Sequence, residues 1–195
     1  MDKYGLPELE DRDYVEAPEC RKPADPAAGE LLEAISQKKR NYVYLAGAIS
    51  DDIRTYKWRE RFTELMDNDE RVIIVNPCAN KFNQGMKQVG DNGMEFTKEA
   101  KRRSQGILRA KDYQLVKMCN AIVVNLALWS PEKPMIGTVQ ELTWAHDVFY
   151  VPVIAITEGV ENIYTTHMWI DECCSAKVET VEEAVQMFKT FFLEY

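Results

Sequence analysis

Val72-Ile73-Ile74-Val75 is a short, unbroken, β-branched run, the pattern of a strand buried on both faces, and Asn76-Pro77 closes it. On its N-terminal side, Tyr56, Trp58, Phe62, Leu65 and Met66 recur at helical spacings between Ile53 and Met66, with charges between them. Before that helix, Tyr42-Val43-Tyr44-Leu45-Ala46-Gly47 reads as a strand that ends on Gly47 and feeds the polar turn Ser50-Asp51-Asp52. A strand, a helix and a second strand over short connections form the unit of a parallel sheet with right-handed crossovers.

The same alternation continues toward the C-terminus. Residues 78–96 are rich in Asn, Gly, Gln and Met and form a long polar loop, either a substrate lid or a plain surface insertion. A helix is predicted from Thr97 to Met118, with a break near Gly106, and it carries Asp112 on its last two turns. Ala121-Ile122-Val123-Val124-Asn125-Leu126 is a buried strand, followed by a loop and a helix opening at Gly137 or Thr138. Val151 to Ile156 forms the next strand, and Val181 to Leu193 an amphipathic closing helix. The expected fold is α/β, a doubly wound parallel sheet of flavodoxin-like or Rossmann-like type, occupying residues 41–195.

Residues 1–40 read as an N-terminal extension. Up to about residue 28 they mix acidic residues with Pro7, Pro18, Pro23 and Pro26 and show no sustained apolar period. That stretch is either a disordered tail or an arm docking on a neighbouring subunit through Tyr4, Leu6 and Tyr14. A short helix is expected from Glu30 to Lys38.

A chain of 195 residues, 46% hydrophobic, can bury a full core and holds one domain plus an appendage. The net charge of -8 argues against a surface built to neutralise nucleic-acid phosphates, so a DNA or RNA polymer is not an expected partner. The five cysteines are odd in number and lack the paired spacings of a zinc site, which points to reduced thiols. With no apolar leader, and no continuous apolar run near the roughly 18–20 residues of a membrane span, a cytoplasmic protein is expected.

In a sheet of this kind, ligands sit beyond the carboxyl ends of the strands. That rule selects the loops beginning at Gly47, Asn76, Leu126 and Ile156. Neither of the two common glycine-rich phosphate-binding fingerprints occurs, which lowers the rank of dinucleotide oxidoreductases and P-loop NTPases. His146 and His167 lack a matching acid and metal-ligand spacing and read as structural; no metal and no organic cofactor is expected. Glu141 sits near the start of a helix that follows a strand's carboxyl end. The dipole there favours an ionised carboxylate, available either as a nucleophile or as an ordinary cap for helix amides. Asp112 reads on its own as a solvated helix residue beside Lys111.

Taken together, Tyr44-Leu45-Ala46-Gly47-Ala48-Ile49-Ser50, Trp58-Arg59, Asn76-Pro77, Asp112 and Gly137-Thr138-Val139-Gln140-Glu141 resemble the nucleoside 2-deoxyribosyltransferase family over residues 41–157. The resemblance implies a flavodoxin-like enzyme in which Glu141 attacks C1′ of a deoxyribose and Asp112 is the acid near the base. It further implies substrate contacts from Ala46, Gly47, Ile49, Trp58, Asn76, Asn125, Ser130, Gly137 and Tyr195, with Gly47 and Ala46 packing against the base. The partners would be a nucleoside or nucleotide and a free nucleobase, and the assembly a homo-oligomer whose pockets are completed by a neighbour. Displacing a base from C1′ passes through an oxocarbenium-like state, which a carboxylate stabilises and traps as a glycosyl ester. The departing nitrogen needs a proton from a second acid.

The pattern also departs from the family. Where the transferases carry a further aspartate before the nucleophile, this chain has Pro134-Met135-Ile136. Ser130 is either a turn residue before Pro131 or, as in related deoxynucleoside monophosphate hydrolases, a 5′-phosphate contact. Tyr195 is either a frayed end or a carboxylate donated to a neighbour's pocket, and Asn162 and Trp169 fall where the family builds its interface. Besides a transferase, the residues allow a monophosphate N-glycosidase, a nucleotide-binding sensor or sequestering protein, and, on fold analogy alone, a redox or structural flavodoxin-like module.

Overall fold

The structure, a computed structural model, describes residues 40–50, 52–66, 69–79 and 106–194. The readings placed on residues 1–39, on most of the polar loop after Cys78, on the first part of the helix before Gly106 and on Tyr195 lie outside these residues.

Five strands form one sheet: β1 (Asn41–Gly47), β2 (Val72–Val75), β3 (Ala121–Asn125), β4 (Val153–Ile156) and β5 (Ala176–Val178). All pairings are parallel, in the order β2-β1-β3-β4-β5. This is the flavodoxin-like order, and its switch point falls between β1 and β3. Four of the strands match the sequence expectation in position, but β2 is a half-buried edge strand rather than one buried on both faces, because it pairs only with β1. The fifth was not expected, because a three-residue edge strand with Lys177 at its centre has neither the length nor the apolar content that marks its neighbours.

The helices are α1 (Arg54–Met66), α2 (residues 106–118), α3 (Ile136–Thr143), α4 (Ile163–Thr166), α5 (Met168–Glu172) and α6 (Val181–Phe192). Strand side chains alternate between the sheet's two faces. Val43, Leu45, Val123, Ile154 and Ile156 point to one face, where Trp58, Phe62 and Met66 of α1 and Ala184, Val185 and Phe188 of α6 cover them. Tyr44, Ala46, Ile122, Val124, Val153 and Ala155 point to the other, under Val116 of α2, Leu142 of α3 and Ile170 of α5. Helices on both faces make the sheet doubly wound.

Two local devices shape the two edges of the sheet, the first at the amino end of β4 and the second at the carboxyl ends of the strands. Helix α3 widens into a π-helical turn over Trp144–Phe149 and stops at Tyr150, whose φ of 55° is left-handed. Asn162 is buried and caps α4 in a capping box with Thr165, and its Nδ2 donates to the Leu126 carbonyl at 2.9 Å. Asn162 therefore ties the end of β3 to the segment after β4. No helix among the described residues is long and apolar enough to cross a membrane.

Candidate functional site

The parallel register aligns Gly47 with Asn125 and Asn125 with Ile156, so the three strands end together. Just beyond this edge lies a cavity of about 270 Å³, lined by the loop after β1, Pro77, Asp112, the loop 128–135 and the first turns of α3. That volume lies at the low end of small-ligand pockets, which run roughly 300–1,000 Å³.

Each wall has a local cause. Gly47 adopts φ +138°, and a Cβ there would stand 3.1 Å from the Asn125 carbonyl oxygen, so the turn out of β1 requires glycine. The β1 end is closed by Arg59 of α1, a fully buried guanidinium. It donates from Nε to Leu45 O at 3.2 Å, from Nη2 to Gly47 O at 2.9 Å, from Nη1 to Ala48 O at 3.2 Å, and to the Thr55 carbonyl. On the other side, the buried Asn125 accepts from the amides of Ala127 and Leu128 at 3.0 and 3.3 Å and donates to Glu158 at 2.9 Å. It thereby turns the chain so that Leu128, Trp129 and Ser130 face the cavity. Tyr164 braces this loop, its hydroxyl accepting the Met135 amide at 2.9 Å and its ring meeting Trp129 edge-on at 6.0 Å.

Glu141 lies in the second turn of α3 and points into the cavity. The Tyr44 hydroxyl, rising from the middle of β1, donates to its Oε1 at 2.7 Å. Burial pushes the Glu141 carboxyl up to about 7; the Tyr44 hydrogen bond and the charges of Arg59 and Lys111 pull it down, while Asp112 pushes it up. This differs from the helix-start expectation. Glu141 is too far into α3 for the dipole to dominate, and desolvation wins. The same burial, reinforced by Glu141, raises the Tyr44 phenol, keeping it a donor. Asp112 on α2 is half-buried rather than solvated. Burial raises its pKa, opposed by the Lys111 ammonium 3.6 Å away.

Six of the residues singled out in the sequence therefore converge on one cavity: Gly47, Ile49, Asp112, Ser130, Gly137 and Glu141. Four do not line it. Ala46 is fully buried in β1 beneath the helices. Trp58 lies in the core of the opposite face, with the Arg59 guanidinium 4.7 Å from its ring centroid. Asn76 accepts the Cys78 amide at 2.9 Å, which shapes the turn that presents Pro77. Asn125 is spent on its bonds to the loop amides and Glu158. Ser130 donates its hydroxyl to Glu132, as a turn serine does. Asn162 is a helix cap, and Trp169 is 74% exposed. Met135, in the stretch Pro134-Met135-Ile136, is buried and lines the cavity.

Tyr44 and Arg59 stand in the motifs quoted above but were not assigned a place in the site, although both leave a trace in the sequence. A phenol buried in a central strand needs a polar partner. Arg59 shares the stripe Thr55, Arg59, Phe62, Met66 on α1, and a charge on a buried stripe must be satisfied.

Fold and site together define a class: a parallel α/β protein with two interacting carboxyl groups in a small cavity at the switch point of its sheet. No family model and no curated protein matches the sequence. Among solved structures, the chain is similar to the 2-deoxyribosyltransferase from Leishmania mexicana, with a TM-score of 0.54 and 14% identity over 78% of this chain and 99% of that one. It is also similar to a conserved protein from Enterococcus faecalis V583, with a TM-score of 0.51 and 15% identity over 77% of this chain and 98% of that one. What these relationships share is the fold.

Proposed function

We propose that the protein cleaves the N-glycosidic bond of a 2′-deoxynucleoside or its monophosphate and passes the sugar to a free nucleobase. The observation that carries this reading is the pairing of Glu141, hydrogen-bonded by Tyr44, with a second protonatable carboxyl group, Asp112, across one cavity. The similarity in fold to a 2-deoxyribosyltransferase supports it.

In the first step a Glu141 oxygen attacks C1′ as the C1′–N bond breaks. The bond's electron pair goes to the base nitrogen, which takes the proton from Asp112. The Tyr44 hydroxyl holds one carboxylate oxygen and so orients the other. In the second step a nitrogen of the incoming base attacks C1′, the ester to Glu141 breaks, and Asp112 recovers a proton. Water in place of the second base would give hydrolysis through the same ester. Glu141 must be ionised and Asp112 protonated at the start: desolvation helps Asp112 hold its proton and opposes the ionisation of Glu141, an opposition that the Tyr44 hydrogen bond partly offsets.

The test is incubation with a panel of deoxynucleosides and their 5′-monophosphates, with and without a free base, followed by chromatography. A new nucleoside establishes transfer, and free sugar establishes hydrolysis. Glu141→Ala should lose activity by at least a thousandfold. Base release at the parent rate from Glu141→Ala would remove Glu141 as the nucleophile, and a nucleotide that binds but stays intact over hours would favour a sensor.

A further inference from the structure

Two glycines border the cavity, and they are there for different reasons. Gly47 is demanded by its left-handed backbone and by the Asn125 carbonyl beside it. Gly137, the second residue of α3, has no such demand: its φ is not left-handed, and a Cβ built on it would meet nothing within 4 Å. Glycine is also the least favourable residue in a helix apart from proline, so the helix itself gains nothing from it. The space above Gly137 is part of the cavity.

Gly137 precedes Glu141 by four residues, so the two share one face of α3. Helical side chains lean toward the N-terminus, so the Glu141 side chain covers the turn that contains Gly137 and Thr138. For an oxygen of Glu141 to attack C1′, that carbon must approach to roughly 3–3.5 Å. A furanose ring carried on it then has to spread over neighbouring surface. The bare backbone at Gly137 lies beside the carboxylate; Thr138, the next residue, is buried.

We propose that Gly137 is a substrate-binding residue whose missing side chain seats the sugar ring over the helix backbone beside Glu141. This rests on the glycosidic reading of the site. A single methyl at this position fills the seat and moves C1′ off the line of attack, while leaving the fold intact. A misplacement of about 1 Å costs on the order of a hundredfold in rate.

The experiment compares the parent protein with Gly137→Ala, Gly137→Ser and Gly106→Ala. Gly106 is a useful control, because it too is helical with nothing within 4 Å of a built Cβ, but it lies away from this cavity. Expected are melting temperatures for Gly137→Ala and Gly106→Ala at or above the parent's. Expected too is a kcat/KM reduced ten- to a hundredfold in Gly137→Ala, a larger loss in Gly137→Ser, and parent kinetics in Gly106→Ala. A folded Gly137→Ala with kcat/KM within twofold of the parent on every substrate cleaved overturns the inference and leaves the proposed function standing. A parent protein that releases no base sinks the proposed function. The seat is then judged by the melting-temperature shift that 2′-deoxyadenosine and the other nucleosides of the panel induce. Loss of that shift in Gly137→Ala supports a ligand lying over residue 137. Retention of the shift, or its absence in the parent, overturns it.

Discussion

At the scale of single residues, the site turns on the contact between Tyr44 and Glu141. A desolvated carboxylate favours its protonated form, and the phenol offsets part of that preference by donating to the ionised one. In the proposed reaction the ionisation of Glu141 therefore sets the acid limb of kcat/KM, near 7, and loss of the Asp112 proton sets the falling limb at higher pH. Tyr44→Phe removes a donor without removing the ring from the core. The acid limb of its pH profile should move to higher pH, and the maximum should fall about tenfold, the scale of one charge-assisted hydrogen bond. An unmoved acid limb would mean that Tyr44 does not set the ionisation of Glu141.

At the scale of elements, Arg59 makes the loop after β1 a fixed wall, because one guanidinium from α1 donates to the buried carbonyls of Leu45 and Gly47, to Ala48 at the cavity's edge and to Thr55 in its own helix. Arg59→Met should cost about 2–4 kcal/mol in denaturant unfolding, through carbonyls left without donors. Arg59→Lys should recover less than half of that, since a point-like ammonium cannot span the fork; full recovery by lysine would show that charge alone matters. The elements themselves were legible where burial imposes a simple pattern. β2, β3 and β4 are apolar runs closed by turns, and the stripe of α6 repeats cleanly. Legibility ended where tertiary contact decides. β5 exists because β4 offers it an edge, and α4 because Asn162 caps it. In the site, Glu141, Asp112 and Gly47 stood out by type and position. Ala46, Trp58, Asn76 and Asn125 shape the cavity from behind its walls, a distinction that spacing alone does not carry.

At the scale of the whole molecule, the carboxyl group proposed to do the chemistry is a burden on the fold. Glu141 titrates near 7 in the folded state against an ordinary 4.5. Between those values the unfolded chain releases its proton first, so folding stability falls as pH rises, and above 7 the full penalty applies. Glu141→Gln keeps the acceptor for Tyr44 and discards the charge. It should melt at the parent's temperature near pH 4.5 and progressively above it toward pH 8, with a gap on the order of 3 kcal/mol at most. A constant gap across that range would refute the burial of this charge. The two ends of the domain are also latched together. Asn41 at the start of β1 donates to the Phe192 carbonyl at the end of α6, at 2.9 Å, and Arg71 donates to the Leu193 carbonyl at 2.9 Å. Phe188 and Val185, meanwhile, complete one face of the sheet. During synthesis, then, Asn41 leaves the ribosome 151 residues before the Phe192 carbonyl it bonds, so this latch closes only when the whole domain has been made. Until α6 emerges, the apolar face of β4 and β5 that it covers stays bare, and the length of that interval is set by the speed of translation.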